Sequence, residues 1–214
     1  MGVRSVMTTH LAIHDLASGY GDRALFSGMA AHFAAGSVAH VRGENGVGKT
    51  TFLRTLAGLQ QPLAGTVVWH DHAAASDGSI RDALCYVAHD NGLNGALTPM
   101  ENLAFLMRLA GRPTIRRRIA DVLSELGLGR LRNRPCRLLS AGQQRRVSLA
   151  RLWLSDAPLW LLDEPAAALD STARVQLAER IANQAARGGI VVFTTHEPLP
   201  LTDDLVTPVY LPTC

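Results

Sequence analysis

Residues Gly43-Glu44-Asn45-Gly46-Val47-Gly48-Lys49-Thr50-Thr51 restrict this chain to a narrow set of folds. They fit the pattern GxxxxGK[ST], a loop that works only between a strand and a helix. Its glycines let successive backbone N–H groups curl around an anion without Cβ obstruction. The flanks comply. Residues 38–41 read as a short buried strand and residues 50–59 as an amphipathic helix, whose N-terminus adds its dipole to the loop. Lys49 is the only lysine among 214 residues, against twenty arginines. A chain that has otherwise favoured arginine keeps a lysine where a compact ammonium must reach between β- and γ-phosphates, a position a planar guanidinium fits poorly. A glycine-rich turn with a chance lysine would not explain strand, loop and helix in that order. The loop predicts a nucleoside triphosphate site.

A phosphate site needs a hard cation, and the cation needs a carboxylate. Residues 159–162 form a continuous apolar strand that ends in Asp163 and Glu164, at the carboxyl edge where α/β sheets place ligands. Asp163 is expected to hold Mg²⁺ through water, with Thr50 as a direct ligand. Alternation along the strand would turn Glu164 away from Asp163 and towards the γ-phosphate, where a carboxylate can polarise an attacking water. Leu139-Ser140-Ala141-Gly142-Gln143 opens a further helix. An N-cap is the plainer reading of Ser140. The same small residues also leave free N–H groups, a second anion site. Two phosphate sites far apart in one chain invite dimerisation, each copy completing the other.

Continuous apolar strands alternating with helices predict a mainly parallel sheet covered on both faces. Strands are read at 11–16, 38–41, 65–69, 84–87, 159–162 and 190–195. Helices are read at 99–109 behind a Thr98 N-cap, at 115–126, at 143–154 and at 171–187. Three helices with no strand among them predict a helical insert, about residues 90–155, in one domain spanning 1–214. Residues 1–10 read as a loose end. Apolar residues make up 47% of the chain, ordinary for a globular core. No apolar run reaches the roughly 18–20 residues that span a bilayer, and no signal peptide is evident, so the expectation is a cytosolic protein. Cys85, Cys136 and Cys214 form no spaced set and suit reduced thiols. A net charge of +3 suits anionic ligands or a membrane surface and is too small to argue for nucleic acid. Arg116-Arg117-Arg118 is the densest basic cluster, with a solvated helix face as the plain reading.

Taken together, Gly43–Thr51, Leu139–Gln143, Leu162-Asp163-Glu164-Pro165, Ala168-Leu169-Asp170 and Thr194-Thr195-His196 resemble the nucleotide-binding subunits of ATP-binding cassette (ABC) transporters, in that family's order and over nearly the whole chain. The resemblance implies an α/β P-loop NTPase core of ABC ATPase type, with a helical subdomain and an N-terminal antiparallel β portion. It implies that Tyr20 stacks on adenine, that Ser140 and Gly142 grip the partner's γ-phosphate, that Asp170 is the D-loop aspartate, and that His196 is the switch histidine. ATP and Mg²⁺ are then the ligands, a homodimer the working form, and integral membrane subunits the partners. Within the family, the LSAGQ signature continued as Gln144-Arg145-Arg146-Val147-Ser148-Leu149-Ala150-Arg151-Leu152-Trp153-Leu154, the run Ala157-Pro158-Leu159-Trp160, and Tyr86-Val87-Ala88-His89 are similar to the ATP-binding subunit of the haem exporter of cytochrome c biogenesis. That branch implies a peripheral ATPase on the cytoplasmic face of the inner membrane, driving haem export or release of a haem-loaded chaperone, with no nucleic acid and no direct haem contact.

The chain departs from the wider family at His89, where a glutamine is usual. An imidazole both accepts and donates near neutral pH. Asp90-Asn91 after it differ from the Gln-Pro expected in the haem-exporter branch, and Ala166-Ala167 before the D-loop are smaller than usual. His70-Asp71-His72 reads as a solvated turn rather than a haem or metal pair, and His32 and His40 read as packing residues. Other functions compete: an ATPase of a different exporter, for lipid, peptide or drug; a soluble ABC ATPase acting on DNA or ribosomes, which usually needs two cassettes or long insertions; and a small-molecule kinase, against which the signature and Glu164 argue.

Overall fold

The computed structural model describes residues 10–21, 23–70, 72–73, 79–112 and 115–212. The chain begins with β1 (His10–Tyr20) and β2 (Arg23–Ala34), an antiparallel pair. β1 also pairs antiparallel with β4 (Ala64–Trp69), which carries the short β5 (His72–Ala73), giving the order β2-β1-β4-β5. The implied N-terminal antiparallel portion is therefore present. β1 runs past the expected 11–16 because its register shifts beside Asp15, whose φ is 46°. That bulge exposes His14 and Asp15 and returns Leu16 and Ala17 to the core. Gly65, at φ 78°, lies against the bulged backbone at Asp15, where a Cβ could not fit. β2 was not expected, since Ser27, Gly28 and a run of alanines mask its alternation.

The second sheet is parallel, in the order β6 (Leu84–Val87), β7 (Leu159–Asp163), β8 (Ile190–Thr194), β3 (Val38–Arg42), β9 (Val206–Tyr210). Every residue of β7 and β8 is buried, as continuous apolar strands covered on both faces require. On one face, α1 (Lys49–Leu56) lies between this sheet and the antiparallel one. Phe26, Phe52, Leu53, Leu56, Leu161 and Val192 share that core. Phe26 meets Phe52 edge to face, centroids 5.8 Å apart. Truncating Phe52 to alanine would cost about 3–5 kcal/mol. On the other face, α7 (Ser171–Ala186) packs Leu177 and Ile181 against Trp160, Leu162 and Phe193.

Between β6 and β7 comes the helical insert, preceded by the short α2 (Ser79–Ala83) ahead of β6. It contains α3 (Pro99–Leu109), α4 (Arg116–Glu125), α5 (Ala141–Leu149) and α6 (Arg151–Leu154), around a core of its own including Leu103, Met107, Ile119, Val122 and Val147. Thr98 caps α3 in a capping box with Glu101. The helix expected over 143–154 is broken at Ala150 into α5 and α6. Because the core strands are parallel, the ends of β3, β7 and β8 open on one edge, where the loops that follow them meet. Residues 1–9, Asp71 and Cys214 lie outside the described residues, as does the side chain of His72. Cys85 and Cys136 are buried free thiols.

Candidate active site

The glycine loop leaves β3 at Arg42 and enters α1 at Lys49. Gly48 is its last residue, at φ 105°, a left-handed conformation that favours glycine. It also lies flat on β2: a Cβ there would stand 3.1 Å from Phe26 Cδ1 and 3.2 Å from Leu25 Cβ. The ammonium of Lys49 folds over its own loop, Nζ donating to the oxygens of Gly43 at 2.8 Å and Glu44 at 3.0 Å. Val47 packs against the core beneath.

Asp163 ends β7 with only 1% exposure. Its Oδ2 accepts from Thr50 Oγ1 at 2.9 Å, and its Oδ1 from Thr194 Oγ1 at 2.8 Å. A buried carboxylate beside a threonine hydroxyl is a hard-oxygen donor set, and both residues line the cleft. That fits Mg²⁺, which keeps several waters and takes its other ligands from phosphate. Among the described residues no three His, Cys, Asp or Glu side chains converge on a closed metal cage.

Glu164 reaches the cleft by a different route from the one expected. β7 stops at Asp163, and Glu164 adopts φ 49°, so a left-handed turn aims its side chain, not strand alternation. The turn is pinned by Glu164 N donating to Thr194 Oγ1 at 3.0 Å. The carboxylate faces His196: Oε2 accepts from the His196 backbone N–H at 3.0 Å, and Oε1 lies 3.5 Å from Nε2.

A cleft of about 610 Å³ brings together Tyr20, Asn45, Gly46, Gly48, Lys49, Thr50, Thr51, His89, Asp163, Glu164 and His196. Tyr20 stands at its rim, 60% exposed, its hydroxyl accepting from Thr51 Oγ1 at 3.3 Å. Leu25, Ala167 and Glu197 line it as well, without having been anticipated. Ser140, Gly142 and Asp170 do not reach this cleft. Ser140 caps α5 in a capping box with Gln143. A Cβ on Gly142 would meet Ala168 O at 2.6 Å. Asp170 caps α7, Oδ1 accepting from Ala173 N at 2.8 Å, with Arg146 Nη2 3.6 Å from Oδ2.

Sequence reasoning missed Arg145. From α5 this arginine, 3% exposed, reaches the backbone oxygens of Asp163 and Glu164 behind the site and that of Ala88 before His89. Burial is the main cause that pulls its pKa down to about 10, with Arg151 adding to the effect. The signal available was its spacing: Arg145, Ser148, Leu149 and Leu152 share one helical face, and an arginine on that face needs acceptors. His40 does pack, stacking on Phe193 at 4.7 Å, and burial lowers its pKa. His32 does not. It is exposed on β2 and stacks on His10, centroids 5.6 Å apart.

A profile of the ABC transporter family matches residues 26–167. The chain belongs to the ABC transporter family. Within it, the chain is 43% identical over 195 residues to the cytochrome c biogenesis ATP-binding export protein CcmA of Aromatoleum aromaticum, covering 90% of this chain and 91% of that one. A CcmA protein of Salmonella paratyphi A is 42% identical over 197 residues, 92% of this chain and 94% of its own. A solved structure of a putative ABC transporter ATP-binding protein from Pyrococcus furiosus superposes with a TM-score of 0.81 at 25% identity, covering 94% of this chain and 97% of that one. This chain is an ABC ATPase, similar over most of its length to proteins named as cytochrome c biogenesis ATP-binding export proteins.

Proposed function

We propose that two copies of the chain close head to tail over two ATP molecules and drive a cytochrome c biogenesis export complex. One observation carries this reading. Lys49, Thr50, Asp163, Glu164 and His196 converge on a single cleft, while Ser140 and Gly142, at the free start of α5, lie away from it. A second chain is the natural source of that missing wall.

The loop N–H groups cradle the β- and γ-phosphates, and Lys49 exchanges two carbonyl acceptors for anionic oxygens. Tyr20 offers its exposed ring to adenine. Thr50 and Asp163 would hold Mg²⁺, which on binding neutralises phosphate charge. Glu164 takes a proton from water as the water oxygen attacks the γ-phosphorus; the bond to the bridging oxygen breaks and ADP leaves with the electron pair. His196 orients that carboxylate through its backbone N–H and sets its ring beside it. The partner's Ser140 hydroxyl and the partner's Gly142 N–H complete the γ-phosphate cage, and Asp170 lies at the same closing seam. His89, whose backbone oxygen accepts from Arg145 Nη1 at 3.2 Å, links the cleft to the helical insert and reports nucleotide to it.

No helix among the described residues is long and apolar enough to cross a membrane. We place the protein on the cytoplasmic face of the inner membrane, bound to integral subunits, its turnover serving haem export or release of a haem-loaded chaperone. The chain itself touches neither haem nor nucleic acid in this reading. The decisive variant is Glu164→Gln. It should bind ATP, accumulate as a nucleotide-bound dimer on size exclusion, and lose turnover by at least about a hundredfold. Near wild-type hydrolysis would remove Glu164 as the base.

A further inference from the structure

Glu164 is aimed by a loop with little packing to hold it. His196 and Glu197, just past the end of β8, are exposed, and Thr195 is only half-buried. Yet the Thr195–His196 peptide carries the N–H that Glu164 Oε2 accepts at 3.0 Å. Where burial is slight, hydrogen bonds decide how such a peptide sits. Part of the order is local. Thr195 Oγ1 donates to Glu197 O at 2.9 Å and accepts from Glu197 N at 3.1 Å, closing a tight turn. One turn into α7, Arg174 Nη2 pairs with Glu197 Oε2 at 2.7 Å and steadies the turn from outside. Neither contact touches the peptide itself.

His40 does. It stands in β3 opposite Phe193 of β8, and the two rings stack with centroids 4.7 Å apart and planes 11° from parallel. From there Nε2 lies 3.3 Å from Thr195 O, and Arg42 Nε donates to Nδ1 at 3.1 Å. A carbonyl oxygen only accepts and an arginine N–H only donates. Both neighbours therefore select the neutral ring with its proton on Nε2. The carbonyl that His40 binds and the N–H that Glu164 binds belong to one planar peptide unit. Any rotation of that unit moves both ends together. A donor on the oxygen also polarises the N–H at the other end, which strengthens its bond to the carboxylate.

We propose that His40 is a positioning residue for hydrolysis, holding Glu164 towards the attacking water through the Thr195–His196 peptide. The proposal rests on the reading of Glu164 as the base. His40 lies behind the switch turn and not in the nucleotide cleft; with Arg42, Phe193 and Leu199 it lines a separate cavity of about 280 Å³. It touches no substrate, so ATP binding does not depend on it. A ring kept only for packing would need the Phe193 stack and neither hydrogen bond. The signature of positioning is a loss in the chemical step with binding intact.

The test is ATP hydrolysis by the purified full chain, with ATP affinity measured by titration and folding checked by far-ultraviolet circular dichroism. His40→Phe keeps the stack and loses the donor. It should lower kcat about tenfold and leave ATP affinity within about twofold of wild type. His40→Gln returns an N–H donor without the ring and should recover turnover to within about threefold of wild type. In the Glu164→Gln background, His40→Phe should scarcely change the residual rate, because the brace has no base left to aim. Three results would overturn the proposal: wild-type kcat in His40→Phe, an equal loss in folded His40→Gln, or the same tenfold loss in the Glu164→Gln background. The last would assign His40 to packing. The reading beneath the proposal fails separately, since full hydrolysis by Glu164→Gln alone removes the base whatever His40 does.

Discussion

Nη2 of Arg145 donates to the backbone oxygens of Asp163 and Glu164 at 2.8 Å each, while Nη1 donates to Ala88 O at 2.9 Å. One side chain from α5 thus ties the end of β7 to the segment that carries His89. Lysine is a point charge and cannot span those acceptors. Hydrogen bonds from charged donors contribute about 1.5–3 kcal/mol each. Arg145→Lys should therefore lower stability by about 2–4 kcal/mol in urea denaturation. It should cut ATP turnover about tenfold or more through misplacement of Glu164, with ATP affinity nearly unchanged. Unaltered turnover would limit Arg145 to a packing role.

Lys49→Arg tests why a single lysine survives among twenty arginines. Nζ sits over the loop between the oxygens of Gly43 and Glu44, a space sized for an ammonium. The arginine variant should lose ATP affinity or phosphate positioning, read by nucleotide titration and steady-state hydrolysis. Normal values in both would show that charge alone suffices there.

Dimer completion predicts complementation. Lys49→Ala breaks a chain's own cleft, and Ser140→Arg breaks the wall it lends. Mixing the two inactive homodimers should restore partial hydrolysis, because one composite site escapes both changes. A mixture that stays inactive, with heterodimers demonstrated by differential tagging, would confine each site to one chain.

Acid sensitivity should involve His40. Burial holds its pKa below the ordinary 6.5, so as pH falls the unfolded chain takes up this proton first. The contribution is fully present above the unfolded value and is lost as pH falls through the lower folded value. The urea midpoint should decline between about pH 7 and 5, and His40→Phe, which keeps a ring against Phe193, should flatten that decline. Superimposable pH profiles for the two proteins would remove His40 from the acid response.

The sequence made the glycine loop, the buried strands β7 and β8, and the Thr98 cap legible because each is a local pattern with one physical reading. It was less informative wherever tertiary contacts decided the outcome. β2 is masked by small residues and is held by pairing with β1. β9 carries Pro208 and sits at the sheet edge, where a proline is tolerated. Glu164 reaches the cleft through a left-handed turn pinned by Thr194, thirty residues on. Arg145 looked like one more arginine until its acceptors, on two other segments, were in view. Asp170 was read by resemblance as the D-loop aspartate, and the hydrogen bond its Oδ1 accepts from Ala173 N also makes it the cap of α7.

The order of the parallel sheet sets a timetable for synthesis. β3, the strand that launches the glycine loop, has β8 and β9 as its neighbours. Both emerge from the ribosome only after nearly everything else has been made. Until then the β1–β2 hairpin can pair, and the helical insert can gather its own core, but β3 has no ladder to join. The nucleotide cleft is therefore among the last parts of the molecule to form, and a nascent chain stalled before residue 190 would hold the whole glycine loop yet have no platform on which to set it.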